Sequence, residues 1–223
     1  APPAAPAAEV ERYPIATAAS SSPTDLPVNI DDSDTVYGEG LLQLVGADAL
    51  AYFHSDRMIR RFVATIDNLP RQEAPAGKMP VKPVGGPFLV ERNSAGMTID
   101  PANARRYVRY LEIMAAVDVR RLVDLYVGFY PVFQQAYREL GYPHGRFNDR
   151  VVDTLDDLLA TPDVAPPIAV TQPKVLYEFA DPALEKRSAG QKIMLRMGAD
   201  NMARAKRLLS AIRSELLRRS PGK

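Results

Sequence analysis

Between Val119 and Leu140 large apolar side chains return every three or four residues (Val119, Leu122, Val123, Tyr126, Phe129, Tyr130, Phe133, Ala136, Tyr137, Leu140). That period draws one continuous stripe down a helix about six turns long, and such a stripe persists in water only when neighbouring elements cover it. The chain is therefore expected to wrap further helices around this central one. Pro131 sits inside the run and lacks the N–H that would bond the carbonyl of Val127, which predicts a kink there. The aromatic side chains of the stripe read as packed core in preference to a ligand cavity at the kink.

The rest of the chain supplies the covering elements. Val36, Leu41, Leu42, Leu44 and Val45 follow the N-cap candidates Ser33 and Asp34. Met58, Ile59, Phe62, Val63 and Ile66 follow Ser55, with Arg57, Arg60 and Arg61 facing elsewhere. Asp100-Pro101 opens a helix with Ala104, Tyr107, Val108, Leu111, Met114 and Ala115 on its buried side, and Asn148 or Asp149 caps another running to Pro162. Two more helices follow Asp181-Pro182, one ending near Gly198 and one from Ala199 to about Arg218. Five prolines from Pro70 to Pro87 impose an extended connector, while Phe88 to Ile99 reads as a hairpin and Ile168–Val170 and Val175–Phe179 as extended segments. The expected fold is mainly α: a single helical-bundle-like domain over residues 33–223 with about seven helices and one or two short β hairpins. Residues 1–32, rich in Ala, Pro and Ser with few large apolar side chains, are expected to form a disordered linker.

Composition removes several chemistries. The 223 residues include no cysteine, which excludes disulfides, thiolate nucleophiles, thiolate zinc sites and iron-sulfur clusters. The two histidines, His54 and His144, lie far apart, and His54 at a helix end reads as a partner of the helix dipole. Gly38-Glu-Gly40 is followed by Gln43 where a dinucleotide fingerprint needs glycine, and no phosphate loop or nucleophile elbow occurs. Ser188 stands before a helix and reads as its N-cap. Neither a cofactor nor a catalytic or metal-ligating residue is expected. No apolar run reaches the roughly 18 residues that span a bilayer, and the start at Ala1 suits a processed or trimmed chain.

Net charge is only +1, but it is polarised: residues 1–40 hold seven acids and one base, residues 183–223 eleven bases and three acids. The basic C-terminal helix, with Arg204, Lys206, Arg207 and Arg218 off its apolar stripe, is a candidate for an anionic polymer or lipid surface, although it lacks interleaved aromatics for stacking. Nucleic acid is thus a weak expectation. The acidic arm folding over this helix is a further option. Asp149, Asp153, Asp156 and Asp157 fall on one side of a helix where a hard cation could gather, but they also complement the inward stripe and read more simply as a solvated face. The turn Tyr142-Pro-His-Gly-Arg-Phe-Asn148 is the densest set of ligand-capable side chains. A small-molecule-binding protein or hydrolase would need Tyr142, His144, Arg146, Asn148, Lys174 and Tyr177 to converge in a cleft; an interaction module would instead present an open patch.

Five phrases carry a resemblance: Ile59-Arg-Arg-Phe-Val-Ala-Thr-Ile-Asp-Asn-Leu-Pro70, Tyr130-Pro-Val-Phe-Gln-Gln-Ala-Tyr-Arg-Glu-Leu-Gly-Tyr-Pro143, Phe147-Asn-Asp-Arg-Val-Val152, Gln172-Pro-Lys-Val-Leu-Tyr-Glu-Phe-Ala-Asp-Pro182 and Ser188-Ala-Gly-Gln-Lys-Ile-Met-Leu-Arg-Met-Gly198. Over about residue 35 to the end, the chain resembles the bacterial "domain of unknown function 3014" family. The resemblance implies an envelope protein: a membrane helix, missing from this sequence, then a Pro/Ala-rich linker and this domain. On that basis the protein is expected in the periplasm, tethered to the inner membrane through the missing anchor, with an envelope protein as partner. The family brings no known activity, so a non-enzymatic interaction or scaffold module is the leading expectation.

Overall fold

Pro131 breaks the central stripe outright. In the structure, a computed structural model describing residues 11–15, 29–94 and 96–220, the expected single kinked helix is two, α5 (Val119–Gly128) and α6 (Tyr130–Glu139). Phe129 sits between them at φ −93°, ψ 5°, its carbonyl accepting from the N–H groups of Val132 and Phe133. The missing donor at Pro131 leaves no bond to hold the two halves in line, so α6 starts afresh with proline in its first turn, where that donor is not needed.

The other helices are α1 (Ser33–Val45), α2 (Ala47–Leu50), α3 (Met58–Asn68), α4 (Asn103–Ala116), α7 (Phe147–Leu159), α8 (Pro182–Glu185), α9 (Ala189–Arg196) and α10 (Ala199–Arg219). Strands β1 (Val90–Asn93), β2 (Gly96–Ile99), β3 (Ala169–Thr171) and β4 (Glu178–Phe179) form one antiparallel sheet in sequential order. The two expected hairpins are thereby joined, with Met97 opposite Val170 and Thr98 opposite Ala169. Most of the arm expected to be disordered, residues 1–10 and 16–28, lies outside the described residues.

Several helix starts are capped from afar. α3 begins at Met58 after Arg57 in the left-handed region, and the side chain of Asp34 on α1 accepts from the N–H groups of both Arg57 and Met58. Ser55, the local candidate, is not the cap. α9 is capped by Ser188 as expected, its oxygen accepting from Gln191 N–H at 3.1 Å. Its first turn also donates to α3's exit, Gly190 N–H to the carbonyl of Leu69 at 2.9 Å; a Cβ on Gly190 would stand 2.5 Å from Leu158 Cδ2.

Three apolar clusters result. The largest gathers α1, α3, α5, α6 and α7 around Phe133 and Phe147, with Leu216 of α10 closing it. The second joins Leu111 of α4, Leu158 of α7, Met194 of α9 and Met202 of α10. The third seats the sheet, through Val170 and Phe179, on Leu184 and Leu195. Arg196, its charge disfavoured by burial, lies over the Phe179 ring at 5.0 Å and donates to the Tyr177 carbonyl.

The basic helix α10 is largely paired. Lys206 meets Asp163, Arg213 meets Asp156, and Arg218 and Arg219 both meet Glu215, while Arg204 and Arg207 stay exposed. The hydrogen bond from Arg218, with help from Arg219, pulls the Glu215 carboxyl from its ordinary 4.5 down to about 2. A depressed folded-state value means the contacts stabilise fully above about pH 4.5 and are lost as pH falls toward 2. Wild type minus Glu215→Gln, compared by urea unfolding at pH 6, 4, 3 and 2.5, is expected to show a stability difference that shrinks through that window. A difference independent of pH would contradict the assignment.

Candidate functional site

The turn between α6 and α7 is built by side chains that satisfy buried polar atoms. Gln134 of α6 is buried; its Nε2 donates to the Gly145 carbonyl (2.8 Å) and its Oε1 accepts from Phe147 N–H (2.9 Å) and from Tyr130 Oη–H (3.2 Å). It thus provides the N-terminal cap of α7, which sequence reasoning assigned to Asn148 or Asp149. Burial lifts the Tyr130 hydroxyl to about 12 and Tyr126 well above its ordinary value, so both are donors at neutral pH. The turn itself is pressed flat: Tyr142 stacks on Tyr137 with centroids 4.5 Å apart and planes at 16°, and a Cβ on Gly145 would come within 2.9 Å of the Tyr137 ring.

Below the turn lies a buried charge. Asp67, on the last turn of α3, is paired with Arg71 (2.7 Å) and with Arg150 of α7 (3.3 Å), and it accepts from Tyr142 Oη–H at 3.3 Å. Thr154 of α7 donates to the Ile66 carbonyl at 2.9 Å. These bonds clamp α7 against α3, and the helix start is placed by α6.

Across the outer side of α7 runs a segment of the arm, Glu11–Ile15. Asp149 accepts from two successive main-chain N–H groups, Arg12 at 3.1 Å and Tyr13 at 2.8 Å. Asn148, fully buried, accepts from Tyr126 Oη–H and donates its Nδ2 to the Tyr13 carbonyl at 2.8 Å. Arg12 pairs with Asp153 at 2.6 Å, Glu11 with Arg146 at 3.8 Å, and Ile15 packs on the largest apolar cluster. Beside the segment a groove of about 480 Å³ is left, walled by Tyr137, Gly145, Arg146, Arg150 and Asp153. The described part of the arm thus lies on α7.

The six residues singled out from the sequence fall into two places. Tyr142, Arg146 and Asn148 surround the start of α7, and His144 is exposed on the same turn. Lys174 is exposed on the β3–β4 turn, and Tyr177 packs on the sheet cluster, accepting from Arg92 at 3.2 Å. The two sets rest on different apolar clusters and form no common cleft. The aspartates have separate partners: Asp149 and Asp153 hold the arm, Asp156 pairs with Arg213, and Asp157 accepts from Ser188 and Gln191. Among the described residues no group of three or more His, Asp or Glu stands as a metal-ligand set.

Sequence reasoning missed Asp67, Gln134 and the arm segment. Only the last left a local trace: Arg12 is the one base in the first 40 residues, and Tyr13 and Ile15 are large side chains among small ones.

Fold and site together define a mainly helical domain with a small antiparallel sheet, in which the outer side of α7 holds the chain's own Glu11–Ile15. The chain belongs to the family described as "Protein of unknown function (DUF3014)", whose model matches residues 58–213. The matched span runs from α3 into α10, so it includes the α6–α7 turn and leaves Glu11–Ile15 outside. No curated protein and no solved structure matches the chain.

Proposed function

We propose that this protein is a non-enzymatic interaction or scaffold module of the bacterial envelope, standing in the periplasm and joined to the inner membrane through its N-terminal arm. One observation carries the reading: the polar groups of the turn are committed to holding polypeptide in place. Gln134, Asn148, Tyr142 and Asp67 direct their hydrogen bonds to the protein's own chain, and Arg146 and Asp149 engage the arm. A hydrolytic site needs a nucleophile beside its proton acceptor and a donor pair aimed at a vacant reacting atom. The Ala/Pro/Ser composition of the arm supports a spacer, and the family resemblance supports the envelope setting. No helix among the described residues is long and apolar enough to cross a membrane. The adjacent side chains Val175 and Leu176 on the β3–β4 turn, 85% and 76% exposed, are the natural place to look for a neighbour.

Photo-crosslinking residues at positions 144 and 176 of the membrane-anchored protein in cells test this. Discrete protein adducts from either position are expected. No adducts at both positions, together with hydrolysis of an ester, phosphate, glycoside or peptide panel that His144→Ala abolishes, would overturn the reading.

A further inference from the structure

The way Glu11–Ile15 is held is how a receptor holds an extended peptide. Asp149 reads two consecutive N–H groups and Asn148 reads the next carbonyl, so three bonds fix the register of any segment irrespective of its side chains. Specificity is then added at the flanks. Arg146 faces an acid at the first position, Asp153 a guanidinium at the second, and the apolar cluster receives an aliphatic side chain at the fifth. Asn148 is fully buried with the arm in place, and its Nδ2 spends a donor on the occupant's main chain, so the segment completes the hydrogen bonding of a buried side chain. The pairs made by Arg12 and Glu11 are only partly covered and so contribute modestly each. A segment held this way docks reversibly.

Resting on the interaction-module reading, we propose that the outer face of α7 is a binding site for extended peptides with an acid at the first position, arginine at the second and an aliphatic residue at the fifth. Glu11–Ile15 is its tethered occupant, which a partner segment of that chemistry must displace. Thirteen residues, 16–28, separate Ile15 from Asn29. Because occupant and site belong to one chain, the segment rebinds without diffusing from solution, so a free peptide competes poorly until the arm is disabled.

The probe is a fluorescent peptide of residues 9–17, titrated into the full chain and followed by anisotropy. The full chain with Arg12→Glu and Ile15→Asp in its own arm is expected to bind the peptide at least about tenfold more tightly than wild type. Adding Asp149→Ala is expected to abolish that binding. In wild type the Tyr13 amide is expected to exchange with solvent at least about tenfold more slowly than a free amide, the protection disappearing in Asp149→Ala while the Phe133 amide stays protected. Charge reversal gives a readout that folding does not move: the chain with Asp153→Arg, its own arm carrying Arg12→Ala and Ile15→Asp, should prefer an Arg12→Glu peptide over the native one. Equal peptide binding by wild type and the arm-disabled chain, binding indifferent to Asp149→Ala, or an unprotected Tyr13 amide in wild type would each overturn the proposal. Failure here with crosslinked adducts still forming would leave the interaction reading standing and overturn only this site, whereas the hydrolysis that His144→Ala abolishes, without adducts, would overturn both.

Discussion

Replacing Phe133 by alanine is expected to lower the unfolding free energy by about 4 kcal/mol. Its ring is 1% exposed and meets four others: Tyr126 at 5.2 Å, Phe62 at 5.4 Å, Tyr37 at 5.6 Å, and Phe147, stacked at 5.8 Å with planes 7° apart. Those rings come from α5, α3, α1 and α7, so one side chain of α6 ties together five helices of the largest cluster. Deleting it loses the transfer free energy of the ring and leaves a void that five helices cannot close without moving together. Domains of this size have about 5–15 kcal/mol in total, so the variant is expected near the edge of folding. Urea unfolding followed by far-UV circular dichroism measures the loss, and Phe133→Leu should recover more than half of it. A loss below about 1 kcal/mol would show that the aromatic cluster is not the core.

Asp67→Ala is expected to cost about 3 kcal/mol, because the carboxylate is the shared counter-charge of two arginines and its side chain is only 6% exposed. Arg71 is half exposed and can turn to water. Arg150, at 24% exposure, is less free to do so, and Tyr142 loses its acceptor as well. The mechanism makes a second prediction that simple loss of packing does not: in the Asp67→Ala background, Arg150→Met should stabilise, since it removes the stranded charge while keeping the aliphatic stem. A double-mutant cycle by urea unfolding checks the sign. Additive losses would mean that the pair is not what holds α7 to α3.

The two effects differ in how far they could be read from residue order. Phe133 belongs to a stripe whose period marks it as buried, and the same reasoning found α1, α4, α7, α10 and the Ser188 cap, because helix geometry relates residues three and four apart. Pro131 was readable as a disruption for the same local reason. Asp67 carried no such mark. On a helical wheel it is an ordinary acid near a helix end; its burial comes from α7, which brings Arg150 from 83 positions away. Asp34 is likewise an acid in a first turn until α3 arrives above it, 24 residues later. Gln134 becomes a cap only because the Gly141 turn folds α7 back onto α6.

Asp149 shows the division most plainly. Residue order made it one of four acids on a solvated helix face, but its side chain is only 14% exposed because the arm covers it. Its work, receiving two N–H groups from residues 136 and 137 positions earlier, exists only once the arm returns to the domain. Which side chains are apolar, and on which side of a helix they fall, follows from composition and a short-range period, so most helices and their buried stripes were readable directly. Which polar group meets which depends on how the helices and sheet are packed, because hydrogen bonds and ion pairs act over a few ångströms and join residues that the chain keeps far apart.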